Sequence, residues 1–389
     1  MTNTQQGIIT LLKSAITGES FPLPQGFDLE AAYPALKKHH MAALLYEGAV
    51  RCGIPKDLSV MQQLFQSYCR CLLVSEGQLR EVQRIFDAFD RKGIDYLPLK
   101  GCCMKPRYPK PELRTMGDAD ILIRLEQREE IDAILEGLGF RFLEETDHEL
   151  VWQSKKLYLE LHKHLIPSYN KDLYPHFGTG WQLARHVSHG LHAMEAEDEL
   201  VFLFTHFAKH FRDGGIGCRY VVDLWVFLRT FPELDGKKVE EKLEKLQLLE
   251  FYSNIRDLIA CWFTGGPETD KLTMITDFIF ASGSWGGMES KVLSVAARET
   301  KAGSSAVGGR MAYLWRSVFP PAQMLMDKYT VLKKAPWLYP LVCLYRLVYK
   351  LIFDRRKVML LTGNVTTIHR EELRTRRQLL RSVGLDYRC

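Results

Sequence analysis

Hydrophobic residues recur with a helical period up to about residue 90, switch to short alternating runs from 91 to about 170, and return to a helical period after Glu197. In the first stretch, Ile8, Leu11, Leu12 and Ala15 follow the i, i+3, i+4, i+7 spacing of one helix face. Val60 to Asp90 runs on with few breakers, and Lys92-Gly93 is its expected stop. The middle stretch predicts a strand over Ile94–Leu99 ending at Lys100-Gly101, a helix after that turn, and a second strand over Ala119–Leu125. A helix over Gln127–Leu138 follows, with Gly139 as its stop, and then strands over Phe140–Glu144, Glu149–Gln153 and Leu157–Leu165. That β-α-β-α-β-β-β order predicts an α+β chain whose mixed sheet is covered by helices on one side. After Glu197, Leu200, Leu203, Phe204, Phe207 and Phe211 form an apolar stripe, and Val221–Leu228, Val239–Leu248 and Phe251–Phe263 continue the pattern. Residues 283–287 and 301–309 read as loops. The expected organisation is an N-terminal helical region over 1–90, a core over 91–195 and a C-terminal helical domain with a basic tail over 196–389.

With 389 residues, 46% hydrophobic and 25% charged, the chain can bury a large core, and collagen, low-complexity disorder and disulfide miniproteins are excluded. The nine cysteines show no CxxC and no zinc-ribbon spacing, so most are expected to be buried small hydrophobes. The N-terminus lacks the basic and apolar regions of a signal peptide. Near the C-terminus the longest charge-free apolar run, Ala335–Tyr345, has 11 residues, short of the roughly 18 a span needs. No transmembrane span and a cytoplasmic location are therefore expected. From Arg346 to Cys389 there are eleven Lys/Arg against four Asp/Glu. This basic tail reads as a solvated helix face and a frayed end, with a nucleic acid or an anionic membrane surface as the alternative. Trp337–Phe353 reads as an amphipathic helix carrying Arg346 and Lys350, its aromatic-rich face packed on the domain, with membrane contact as the alternative.

The chemistry points to Gly117-Asp118-Ala119-Asp120-Ile121-Leu122-Ile123. Two Asp at i and i+2 on a strand share a face. Their charges repel unless one is protonated or a cation stands between them. Mg²⁺, or Mn²⁺, takes hard oxygen ligands and is commonly held by one or two carboxylates plus substrate phosphates. In Leu157–Leu165, leucines alternate with Tyr158, Glu160, His162 and His164. If that strand lies beside the Asp118 strand, Glu160 completes a three-carboxylate site able to clamp both oxygens of an in-line displacement. Lys100-Gly101, after a strand, adds a mobile positive charge and a backbone that a phosphate can approach closely.

The runs Pro98-Leu99-Lys100-Gly101, Tyr108-Pro109 and Arg114-Thr115-Met116-Gly117-Asp118-Ala119-Asp120-Ile121-Leu122-Ile123 resemble the uncharacterised nucleotidyltransferase family of the DNA polymerase β superfamily. Glu197-Asp198-Glu199-Leu200, His206, Lys209-His210 and Arg219-Tyr220-Val221-Val222-Asp223-Leu224 are similar to its helical segment. Arg316-Ser317-Val318-Phe319-Pro320 and Tyr345-Arg346 are similar to its C-terminal part. The resemblance covers roughly residues 35–350. It implies a minimal nucleotidyltransferase sheet flanked by helical regions, with Asp118 and Asp120 as metal ligands and Glu160 as the third carboxylate. The wider superfamily has Gly-Ser or Gly-Gly after the first strand, whereas this chain has Lys100-Gly101, as the subfamily does.

Other residues carry two readings. Arg114 is a phosphate clamp or an ion pair steadying its loop. His206, Lys209 and His210 border the cleft and meet phosphate or acceptor, or form a wet helix face; His206-x-x-x-His210 as half a zinc site is a lesser option. Arg219 and Asp223 are an i, i+4 pair open to a simple salt bridge. His186, His189 and His192 read as exposed histidines of a loop-and-turn stretch. His162 or His164 orients an acceptor or acts as a base, or supports the sheet. Trp152, Tyr158 and Tyr169 stack on a base or belong to the core. The expected activity is transfer of a nucleoside monophosphate from an NTP, ATP the expected donor, to a hydroxyl or phosphate on a small molecule, sugar or peptide. Asp118, Asp120 and Glu160 would be catalytic, and Lys100, Gly101 and Arg114 would hold the triphosphate. The alternatives are a degenerate nucleotide- or RNA-binding module, and a kinase or glycosyl-phosphate transferase on the same metal site; a nucleic acid acceptor is not favoured.

Overall fold

A computed structural model describes residues 1–168, 170, 172–283, 315, 318–320, 322–326, 329, 331–353 and 370–385. Tyr169, the expected loops at 284–287 and 301–309, Arg316-Ser317 and the tail residues 354–369 and 386–389 lie outside the described residues.

Two compact units are present, one comprising Met1–Phe204, Arg219–Leu246 and Ile255–Glu268, the other Thr205–Cys218, Gln247–Asn254 and Thr269–Cys389. The first begins with helices α1 (Asn3–Thr17), α2 (Leu29–Leu36), α3 (Ala42–Arg51) and the 34-residue α4 (Ser59–Lys92). Thr2 and Gln5 form a capping box at the start of α1, satisfying backbone donors that the first turn leaves open. Gly93 ends α4 in the left-handed region, φ 69°.

The sheet follows with β1 (Tyr96–Leu99), a short helix α5 (Lys100–Met104), β2 (Ala119–Ile123), helix α6 (Arg128–Gly137), and strands β3 (Arg141–Glu145), β4 (Glu149–Gln153) and β5 (Tyr158–His162). After a short helix α7 (Tyr174–Phe177), β6 (Ala184–Ser188) and β7 (Leu191–Met194) complete it. The seven strands lie in the order β3-β4-β5-β2-β1-β7-β6, with β2–β5 and β1–β7 parallel and the other pairs antiparallel. This is the expected mixed α+β sheet with two strands more than the sequence predicted. The stretch read as loop and turn is the β6–β7 hairpin. It was hidden because edge strand β6 is largely exposed and carries no apolar alternation. Gly190 at its turn lies so close to β1 that a Cβ there would stand 1.9 Å from the Ile94 carbonyl oxygen, and its own carbonyl accepts the Tyr96 N–H at 2.8 Å.

Alternation divides the sheet's two faces. Ala119, Ile121, Ile123, Leu150, Trp152, Leu159 and Leu161 pack with Val82, Ile85 and Phe89 of α4 and Ile131 and Leu135 of α6. Trp152 is thus a core residue. The opposite face receives Asp120, Glu160 and His162. Beyond the sheet come α8 (Ala196–Asp213), α9 (Cys218–Thr230), α10 (Gly236–Lys245), α11 (Leu249–Ile259) and α12 (Asp270–Ser282). They match the expected helical stripes.

The second unit also holds α13 (Ala322–Met326), α14 (Val331–Lys334), α15 (Tyr339–Phe353) and α16 (Arg370–Ser382). The expected packing of α15 on the domain is met on one side, through Tyr339, Val342 and Cys343, whereas Tyr345, Tyr349 and, just before the helix, Trp337 are exposed. On α16 the tail is less solvated than expected, since Arg376 is buried over the Phe278 ring and Leu379 and Leu380 are buried. Cys218 and Cys343 are buried as expected, but Cys52, Cys69, Cys71, Cys102, Cys103 and Cys261 are half-buried; all eight are free thiols. Among the described residues no helix is long and apolar enough to cross a membrane.

Because Leu161 is fully buried between the sheet and its helices, Leu161→Ala is expected to cost about 2–5 kcal/mol of unfolding free energy in urea titration. Leu143→Ala, on exposed β3, should change it by no more than about 0.5 kcal/mol.

Candidate active site

The parallel pairing of β2 with β5 sets Asp120 directly beside Glu160. Paired residues of neighbouring strands point to the same face, so both carboxylates and His162, two residues on, project together. Asp118 lies two residues before Asp120, at the entry to β2, and is half-buried. One ligand atom from each of Asp120, Glu160 and His162 can be chosen so that all three lie within 4.8 Å of one another, the only such group among the described residues. His162 is 1% exposed. Its Nε2 lies 2.8 Å from Asp120 Oδ1 and 4.0 Å from Glu160 Oε2. Its Nδ1 is buried with no hydrogen-bond partner among the described residues.

Lys100 is the cation of this cluster. Its Nζ donates to Asp120 Oδ1 at 2.7 Å. The residue sits at φ +42°, a left-handed conformation that costs energy for a side chain with a Cβ. Burial disfavours the Lys100 ammonium, but Asp120 outweighs it and holds the lysine protonated, above its usual range. Burial likewise opposes ionisation of Asp120, yet Lys100 and His162 bring its carboxyl down to about 2. Asp120 is therefore an anion, and the His162 Nε2 carries the proton between them. Glu160 shows the opposite balance. Burial, then Glu149, Asp120 and Asp118, push it up to about 8, with Lys100 only partly offsetting them. Burial and Asp120 also raise Asp118.

Glu149 was not picked out in the sequence. It opens β4 opposite His162 and hydrogen-bonds His148. The available signal was the alternation Glu149, Val151, Gln153 against Leu150, Trp152, which places Glu149 on the carboxylate face once β4 pairs antiparallel with β5.

The other candidates have other surroundings. Arg114 is buried, its Nε and Nη2 donating to the two Asp223 oxygens at 3.0 and 3.1 Å, and Tyr108 donates to the same carboxylate at 2.6 Å. Asp223 thus ties α9 to the loop before β2. Arg219 Nη1 donates to the Thr115 carbonyl and hydroxyl oxygens at 3.3 and 3.1 Å, holding the same loop. Gly101 is pressed against that loop: a Cβ there would stand 2.9 Å from Met116 Cγ and 3.2 Å from Arg114 Nη1. Glu199 is paired with Arg107, both nitrogens within 2.7 Å. His206, Lys209 and His210 belong to the second unit, where the Nε2 atoms of the two histidines lie 3.1 Å apart. His164 Nδ1 is buried, and its ring lies edge-on to Tyr174. In the β6–β7 hairpin His186 bonds the His189 carbonyl and His192 the Gly190 carbonyl.

A family model described as uncharacterised nucleotidyltransferase matches residues 25–264. No curated protein matches the chain. Among solved structures, the antibiotic-resistance factor ANT(2'')-Ia in solution aligns at 16% identity and a TM-score of 0.35, over 47% of this chain and 96% of that one. Crystalline ANT(2'')-Ia with adenylyl-2''-tobramycin aligns at 16% identity and a TM-score of 0.34, over 43% and 94%. Both likenesses are too loose to carry anything over to this chain.

Lys105 supports the site from behind. It is 1% exposed and donates to the Arg114 carbonyl at 2.7 Å. Burial, then the Arg114 charge, lower it from 10.5 to about 8. The unfolded chain thus binds this proton more tightly. The penalty is full below about pH 8, and stability should rise as pH climbs from there toward 10.5. Relative to Lys105→Met, the wild-type unfolding free energy is expected to increase by on the order of 1 kcal/mol per pH unit across that window, read by urea titration.

Proposed function

The chain belongs to the uncharacterised nucleotidyltransferase family, and on that premise we propose that it moves a nucleoside monophosphate from an NTP, with ATP the first donor to test, to a hydroxyl or phosphate acceptor. The observation that carries the reading is the side-by-side placement of Asp120 and Glu160, with Asp118 at the entry to the same strand. Asp118, Asp120 and Glu160 would hold Mg²⁺ or Mn²⁺. The fit rests on the donor set, hard carboxylate oxygens set side by side: burial and then the neighbouring acids hold Glu160 up to about 8, and a divalent charge would relieve the acids' share of that shift. Bound there, the ion would neutralise charge on the phosphates and polarise the α-phosphoryl group.

The chain's own residues would do the rest. The acceptor oxygen attacks the α-phosphorus while the bond to the oxygen bridging toward the β-phosphorus breaks, and pyrophosphate leaves. Glu160, kept a carboxylate by the bound ion, takes the acceptor's proton. Lys100 turns from Asp120 to the triphosphate. Arg114, fixed by Asp223, holds the loop before β2 in place and bears on the phosphates only through its remaining Nη1.

Incubation with each NTP, Mg²⁺ or Mn²⁺ and a metabolite pool should release pyrophosphate and add a nucleotidyl mass to one component. Asp118→Asn, Asp120→Asn and Glu160→Gln should each lower pyrophosphate release at least about a hundredfold while remaining folded. ADP release would mark a kinase instead, and nucleotide binding without turnover a binding module.

Lys100 and a divalent cation compete for Asp120. Lys100→Met is therefore expected to tighten Mn²⁺ binding without nucleotide by about tenfold or more, measured by electron paramagnetic resonance, while weakening NTP binding.

A further inference from the structure

Two donors meet one oxygen of Asp120. Lys100 Nζ reaches Oδ1 at 2.7 Å, and His162 Nε2 reaches the same atom at 2.8 Å. The two donors are not equivalent. Lys100 is a long, flexible side chain that an ion at the carboxylates, or a triphosphate, would draw away. His162 is a short, rigid ring at the end of β5, and it is buried. Its strand neighbours are Leu122 of β2 and Glu149 of β4, and the His148 ring lies 6.0 Å away. When Lys100 departs, His162 is the side chain that still holds Asp120.

The same ring could instead be a metal ligand, since one of its nitrogens groups with oxygens of Asp120 and Glu160. The far side of the ring decides against that role. Nδ1 is buried and has no hydrogen-bond partner among the described residues. A neutral imidazole bound to an ion through Nε2 carries its proton on Nδ1. Ligating histidines almost always donate that second N–H to a carboxylate, a carbonyl or a water. Here it would be a buried donor with nothing to receive it. With the proton on Nε2, the ring donates to Asp120 and leaves only a lone pair behind it. A carboxylate oriented in advance loses less freedom when it takes up an ion. We propose that His162 is a positioning residue of the cation site: it fixes the Asp120 carboxylate through Oδ1 and does not itself bind the ion. This inference rests on the reading of Asp118, Asp120 and Glu160 as that site.

The test is Mn²⁺ binding without nucleotide, followed by electron paramagnetic resonance, with a melting curve for each protein. His162→Gln can place an amide N–H near the position of Nε2. His162→Phe fills the space of the ring without a donor, and His162→Ala removes both. The Phe and Ala variants are expected to bind Mn²⁺ about tenfold or more weakly, and the Gln variant within about threefold of the wild type. A histidine that merely packs the sheet would shift melting and leave Mn²⁺ affinity alone. Electron spin-echo modulation of the Mn²⁺-loaded wild type is expected to show no nitrogen bonded to the ion that His162→Gln removes. If one non-donor variant fails to fold, the other and the wild-type spectrum decide. Unchanged affinity in a folded Phe or Ala variant, a tenfold loss in the Gln variant as well, or a bonded nitrogen that the Gln variant lacks overturns the proposal and leaves the cation site standing. A wild-type protein that binds no Mn²⁺ overturns both the site and this proposal.

Discussion

Repulsion among acidic side chains on one face of the sheet governs this structure. Parallel pairing of β2 with β5 brings Asp120 and Glu160 side by side, and Asp118 and Glu149 add to the same negative region. Such an arrangement persists only with positive charge supplied to it. Within the chain that charge is Lys100, held at a left-handed backbone angle with its ammonium on Asp120. Asp120 is held firmly ionised while Glu160 is pushed toward its neutral form, an imbalance that an added divalent charge would relieve.

The rest of the fold keeps that region in place. The face of the sheet opposite the carboxylates is tied to α4 and α6 by branched and aromatic side chains, so β2 and β5 cannot slip by one residue without turning leucines to the acid face and acids into the core. The loop entering β2 is fastened by Asp223 through Arg114 and Tyr108, by Arg219 through Thr115, and by Lys105 through the Arg114 carbonyl. These are buried, charge-assisted contacts, and loss of one partner leaves the other uncompensated.

Much of this was legible because periodicity reports local geometry. Asp118-Ala-Asp120 and the alternation of Leu157–Leu165 locate the acids on strands and on one face. That these strands are neighbours was an added assumption, which the β2–β5 register answers. What escaped depended on partners distant in sequence. Glu149 joins the cluster only through the β4–β5 pairing, and nothing within β4 distinguishes it from a solvated strand end. The β6–β7 hairpin lacks alternation because β6 is an edge. Arg114 lies four residues before Asp118 and invites a phosphate role, yet its partner Asp223 is 109 residues away on α9. The outward face of α15 was legible as apolar, but not as uncovered.

The central claim is that acids from β2 and β5 share one divalent-cation site. A crystal structure with Mn²⁺ and a non-hydrolysable NTP, read by anomalous scattering at the manganese edge, tests it most directly. The account predicts an ion about 2.1 Å from oxygens of Asp118, Asp120 and Glu160, also touching the nucleotide phosphates, with Lys100 turned away from Asp120. Manganese bound elsewhere, or at Asp118 and Asp120 with Glu160 uninvolved and Lys100 still on Asp120, would contradict it.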